Sequence, residues 1–205
     1  MSAGPLSSEA GRRALLQSIV ELALTVFGAK ACSIMRFDAP ERELVFEAVA
    51  GEGAGTLVGR RLPAATGIAG WSLASEEPIA IDDVISHTRF DREFAEETGY
   101  VPTKLAVHPL LHSERALGVL NVLDAGAGGF GLAGMEALGG FAAQAALALA
   151  AVDAARAGDA ARAGAAPADP LAAIAGALEG LAGERRDAAV SALDALAALL
   201  RADRP

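Results

Sequence analysis

The chain has 205 residues, enough for one domain plus an appendage. It is 53% hydrophobic and 21% charged, ample for a core, and carries a formal net charge of −9 with a pI near 4.8. That charge argues against nucleic acid and against an anionic membrane surface, both of which call for basic patches, and a single cysteine, Cys32, excludes an internal disulfide.

The first residues lack the basic-then-apolar layout of a signal peptide, because Arg12 and Arg13 sit inside an amphipathic run. The longest strongly apolar run, Ala142 to Val152, is shorter than the roughly 20 residues that span a bilayer. A soluble, cytoplasmic protein is expected. Arginine outnumbers lysine and alanine is abundant throughout, so alanine-rich stretches say less about helices than usual.

In chain order, Ser7 or Ser8 can cap a first helix over about residues 8 to 27, with Glu9 in its first turn. Leu15, Leu16, Ile19, Val20, Leu22, Ala23, Val26 and Phe27 give that helix one apolar face, and Gly28 stops it. Ala31 to Asp38 reads as a strand, and Pro40 to Glu43 as a turn. Leu44 to Ala50 reads as a second strand, with Leu44, Phe46 and Ala48 on one face and Val45, Glu47 and Val49 on the other. Residues Gly51 to Gly59 read as a glycine-rich flexible loop.

Thr66-Gly67-Ile68-Ala69-Gly70-Trp71 then turns into a short helix ending near Ser75. Pro78 opens a short strand, Ile79 to Ile81, and Phe90 to Thr98 is a polar helical segment. Leu105 to Leu111 and Leu117 to Leu123 form an antiparallel pair across Ser113-Glu114-Arg115. Pro109 requires an edge position or a bulge. In the second member both faces are apolar, so it should be covered on both sides. A last helix runs from about 132 to 157. Residues 158–169 read as a linker, and residues 170–203 as an Ala/Leu-rich helical tail whose register changes near Gly183.

The ordered series Gly67-Ile68-Ala69-Gly70-Trp71, Glu77-Pro78-Ile79-Ala80-Ile81-Asp82-Asp83-Val84, Arg89-Phe90, Thr98-Gly99-Tyr100, Val107-His108-Pro109-Leu110 and Gly118-Val119-Leu120-Asn121 resembles the GAF domain family over about residues 12 to 156. These are small-molecule-sensing and dimerising modules of signalling proteins. The resemblance implies an α+β fold: a GAF/PAS-like antiparallel sheet, with first and last helices together on one face and loops and short helices over the other, enclosing a pocket. It divides the chain into residues 1–157 as domain, 158–169 as linker and 170–203 as an interaction or dimerisation tail.

Within that frame the candidate pocket residues are Trp71, Asp83, Phe90, Phe94, Tyr100, Val107 and His108. Four of the chain's nine aromatic residues gather in the segments over the sheet, where they stack on a flat ligand or fill a core. Trp71 resembles the family's structural tryptophan and leans toward packing. Asp82 and Asp83 are neighbours on a strand and point to opposite faces, so they make no carboxylate pair, and capping or turn-making is their first expected role. His108 stands where the family has an apolar residue, as a haem ligand, a pH-sensitive group or, more simply, a hydrogen-bonded half-buried histidine. With His87 and His112 the only other histidines, no metal-ligand cluster emerges.

Cys32 reads as a buried, inert thiol. The methionine-sulfoxide reductases of the family work through several cysteines, and its pigment carriers through one in the pocket helices; neither pattern occurs here. The cyclic-nucleotide signature matches at Asn121 and Phe130, but Val122 replaces its lysine and its acids are absent. No P-loop, nucleophile elbow or zinc-protease motif is present. Residues 113 to 205 hold no histidine, so the last helices are no phospho-accepting bundle. The expected function is a non-catalytic regulatory module that senses a small molecule under residues 63–104 and transmits through terminal helices. A ligand-free dimerisation scaffold is the alternative. The expected partners are a second copy, a protein bound by the 170–202 helix and an unidentified small molecule; ligand and cofactor stay unnamed.

Overall fold

The computed structural model describes residues 9–127 and 130–156. The expected linker and helical tail, residues 158–203, lie outside the described residues. Six strands form one antiparallel sheet in the order β3-β2-β1-β6-β5-β4. The strands are β1 (Ala31–Asp38), β2 (Glu43–Gly51), β3 (Arg61–Pro63), β4 (Ile79–Ile81), β5 (Leu105–His112) and β6 (Arg115–Leu123). Two long helices, α1 (Glu9–Phe27) and α5 (Leu132–Arg156), flank the chain's described part, and three short ones, α2 (Ala54–Leu57), α3 (Gly67–Ser75) and α4 (Arg92–Glu97), lie between strands. This is the α+β architecture expected from the sequence.

The core is double. On one face, Cys32, Ile34, Ala48, Ala50, Ala106, Leu110, Leu120 and Val122 pack with Leu16, Ile19, Val20 and Ala23 of α1 and Leu138, Phe141, Ala145 and Leu149 of α5. On the other, Met35, Leu44, Phe46, Val49, Val107 and Val119 meet Leu57, Ile68 and Leu73 of the short helices. The doubly apolar reading of β6 follows from this: Leu120 and Val122 face the long helices and Val119 the short ones.

Three local features differ from the sequence reading. The face assignment of β2 breaks at a bulge: Ile34 pairs with Ala48 but Met35 pairs with Phe46, leaving Glu47 as the extra residue. A bulge shifts side-chain parity by one, so Ala48 faces the long helices while Phe46 and Leu44 face the other way. Glu47 itself is buried and ion-paired, 2.9 Å from Arg12 of α1 and 2.7 Å from Arg36 of β1. Second, the glycine-rich 51–59 stretch holds helix α2, and residues 61–63 add an edge strand. Third, the 20-residue stretch Leu132–Ala151 is long and apolar enough to cross a membrane, although the shorter run 142–152 suggested otherwise; half of it is buried against the domain, as befits a core helix.

Pro109 resolves by geometry. Strand β4 pairs β5 only over Leu105 to Val107, and β5 shifts register against β6 between Pro109 and Leu111. The proline thus sits beyond the reach of β4, where no ladder bond is demanded of its nitrogen. In α3, Gly70 is a packing requirement: a Cβ there would stand 2.4 Å from the Ala64 carbonyl oxygen. That close approach lets the helix lie down on the chain that enters it.

Candidate functional site

Between the sheet and the short helices lies a cavity of about 150 Å³. Its floor is built by β1, β2, β5 and β6, through Ser33, Met35, Phe46, Leu105, Asn121 and Leu123. Its cover comes from Thr66, Ile68 and Ala69 at the start of α3 and from the 90–102 segment, through Phe90, Phe94, Ala95, Thr98, Tyr100 and Pro102.

The cover is held by specific polar fasteners. Asp91 caps α4 by accepting from the Phe94 backbone N–H at 3.0 Å, which starts the helix that carries Phe94 and Ala95. Phe94 stacks on Phe46 with ring centroids 6.2 Å apart and planes 19° apart. The Arg60 guanidinium lies over the outer part of this pair, 4.9 Å from the Phe94 centroid, and is ion-paired to Glu97. At the other end Tyr100 donates its hydroxyl proton to Asp124. Asp124 also accepts from the backbone N–H groups of Thr103 and Lys104, at 2.9 and 2.7 Å. Burial, helped by that hydrogen bond to a carboxylate, pushes the Tyr100 phenol above its ordinary pKa.

Of the residues singled out by sequence, Phe90, Phe94 and Tyr100 come together in the cavity wall. The other four are placed elsewhere. Trp71 is 37% exposed and forms an outer sandwich, stacked on His87 at 5.8 Å with the Arg89 guanidinium 5.3 Å from its ring. That sandwich ties α3 to the chain leading into α4. Asp83 is exposed and closes a turn by accepting from the Ser86 N–H at 3.4 Å, and Asp82 pairs with Lys104 at 3.3 Å. Val107 points toward the cavity side of the sheet but is fully buried in the core there and does not border the cavity. His108, one residue on, faces the other side by strand alternation: a Cβ on Gly139 of α5 would lie 3.3 Å from its Nε2. Its Nδ1 stands 2.9 Å from the Pro109 carbonyl oxygen.

Sequence reasoning missed the polar part of the floor. Asn121 donates from Nδ2 to the Ser33 hydroxyl at 3.1 Å, and both are buried on a surface otherwise apolar. The signal was there: a lone amide inside Val119-Leu120-Asn121-Val122-Leu123, opposite a lone serine in Cys32-Ser33-Ile34. Cys32 adjoins the cavity but is fully buried, and burial pushes its thiol pKa up, away from the thiolate form. Among the described residues no three His, Cys, Asp or Glu side chains are placed to hold a metal.

A family model for the GAF domain matches residues 11–149. Solved structures with the same fold include the GAF domain of a phosphoenolpyruvate-protein phosphotransferase from Coxiella burnetii, at 26% identity and a TM-score of 0.61, over 73% of this chain and 86% of that one. The GAF-B domain of DevS from Mycobacterium smegmatis matches at 22% identity and a TM-score of 0.56, over 71% of this chain and 98% of that one. A free methionine-R-sulfoxide reductase from Neisseria meningitidis matches at 22% identity and a TM-score of 0.59, over 70% of this chain and 81% of that one. No curated protein matches in sequence. The match over residues 11–149, with the two-faced sheet and its covered cavity, makes this chain a member of the GAF domain family.

Proposed function

We propose that the protein is a non-catalytic regulatory module that binds a small molecule in the cavity under residues 63–104. The observation that carries this reading is the cavity itself: a half-open, mainly apolar space with aromatic walls and one polar pair in its floor. Family membership supports a signalling role in general terms. A non-catalytic reading is favoured by Cys32, since a lone buried thiol cannot carry out thiol–disulfide chemistry by itself.

A route outward is built into the cover. Tyr100 in the wall is fastened to Asp124, which directly follows β6 and begins the connection to α5. A ligand that moves Tyr100 acts on that junction, provided it binds the two arrangements with different affinity. The outer side of α5 carries exposed Ala143 and Leu147, a surface suited to a second copy in a cytoplasmic homodimer. The helical tail, residues 170–203, is the proposed docking element for a protein partner.

Native mass spectrometry of the purified protein, with a denatured control on the same sample, tests the reading. Dimer mass with a co-purifying small molecule is the expected result. A clean dimer that no added compound shifts would favour the second reading, a ligand-free scaffold. That reading has one observation of its own: Ile68, Leu73, Val84, Val107 and Val119 already pack into a buried apolar cluster on this face.

A further inference from the structure

Resting on the reading of the cavity as a ligand site, we infer that its ligand is a neutral, one-ring molecule bearing a hydroxyl group, of the phenol class. Three observations converge on it: size, charge and the hydrogen-bonding demand of the floor.

A cavity of about 150 Å³ accommodates one benzene-sized molecule. Nucleotides, tetrapyrroles and other large ligands need several times that space. The walls suit a flat ring, with the Phe46–Phe94 pair and the Phe90 and Tyr100 rings around it. Among the described residues, the ionisable carboxylates bordering the cavity are Glu52 and Asp91, and no basic side chain borders it. An anionic ligand would enter a low-dielectric space beside two acids with no cation to pair it, which is unfavourable.

The floor then specifies the polar group. Asn121 is 6% exposed and Ser33 is 7% exposed. Their mutual hydrogen bond uses one amide N–H and one hydroxyl lone pair. Among the described residues neither side chain makes another. Asn121 Oδ1 is therefore left as an acceptor, and the second Asn121 N–H and the Ser33 O–H as donors, at the cavity floor. A ligand hydroxyl meets both at once, donating to Oδ1 and accepting from the serine. The opposite amide orientation has Oδ1 accept from the Ser33 hydroxyl and leaves the Asn121 N–H groups as donors beside a serine lone pair, so donor and acceptor capacity are again both present for a hydroxyl to meet. A plain hydrocarbon ring leaves both groups unmet, and buried polar groups without partners are costly.

Calorimetric titration of the full-length protein with phenol, toluene, benzoate and cyclic GMP tests this. Phenol should bind at one molecule per chain, with toluene weaker on the order of tenfold. Benzoate and cyclic GMP should give no heat at matched concentration. Asn121→Leu should reduce phenol affinity on the order of tenfold and leave toluene unchanged, and toluene binding doubles as the check that the variant is folded. Should Asn121→Leu lose toluene binding as well, Ser33→Ala provides the milder comparison, with a smaller loss for phenol alone. Tighter binding of benzoate or cyclic GMP than of phenol overturns the ligand class, as does an equal loss of phenol and toluene in Ser33→Ala. Failure of all four probes overturns it too. In that case a co-purified molecule in the native mass spectrum would still uphold sensing, whereas a clean spectrum would remove both readings.

Discussion

The two faces of this sheet are made by the same strands and are both apolar, yet one is filled and the other holds a cavity. On the filled face two long helices lay rows of Leu, Phe and Ala against the strands, and Phe27 and Phe141 meet with centroids 6.0 Å apart. Long helices can slide and rotate as units until their side chains close the gaps. On the other face three short helices of four, nine and six residues are tied down by their connections and by polar fasteners. Ser72 Oγ donates to the Glu77 carbonyl oxygen at 2.7 Å, Arg60 holds Glu97, and Tyr100 holds Asp124. Pinned elements cannot collapse into whatever space is left. A binding cavity here is thus a consequence of how the cover is anchored rather than of missing hydrophobic residues.

Truncation should separate the faces most sharply. Phe141→Ala, at 1% exposure in the filled core, should cost about 3–5 kcal/mol in chemical denaturation. Phe94→Ala, half-buried beside existing empty space, should cost about 1–2 kcal/mol by the same measurement. Equal losses would break the comparison.

The bulge that divides β2 between the faces is guarded by charge. Glu47→Ala leaves Arg12, whose side chain is 4% exposed, facing an emptied site beside Arg36, and should cost about 3 kcal/mol. A loss under about 0.5 kcal/mol, the level of an exposed pair, would show that this bulge is held by packing alone.

Adding volume should reverse the order of the faces. Ala142→Leu overfills the long-helix core and should destabilise by about 1–3 kcal/mol. Ala95→Leu extends into the cavity and should be neutral or stabilise by up to about 1 kcal/mol, while abolishing small-molecule binding. A destabilisation by Ala95→Leu matching that of Ala142→Leu would mean the cavity closes in solution.

The smallest effect concerns the fastener. Tyr100→Phe should cost about 1 kcal/mol at neutral pH. Because the folded-state pKa of Tyr100 is raised, its contribution is complete below the ordinary phenol value of about 10 and is lost as pH rises beyond it toward the folded-state value. Thermal melts between about pH 8 and 11 should therefore show a shallower alkaline decline in Tyr100→Phe than in the parent. Parallel curves would mean that the phenol is not held in its neutral form.

By itself the sequence determined the elements and their layers. Periodicities of two and near four placed α1, β1, β5, β6 and α5 within one or two residues, because those patterns are local and each apolar face must be buried somewhere. The ordered motifs from Gly67 to Asn121 carried the family, and the aromatic content of the 90–100 segment brought Phe90, Phe94 and Tyr100 to notice. Three things were left to the tertiary structure. The bulge at Glu47 turns Phe46 toward the cavity, and nothing in the local alternation announces it, since its stabilising partners lie on α1 and β1. Trp71 and His108 have the chemistry of ligand contacts but the wrong placement: one is stacked outside on His87, the other turned to α5 by a single step along a strand. Finally, the Ser33–Asn121 pair joins residues 88 positions apart, and its significance exists only once β1 and β6 lie side by side under an anchored cover. Local patterns decide which faces are buried; whether a buried face closes or stays hollow depends on segments far apart in the chain, fitted together in three dimensions.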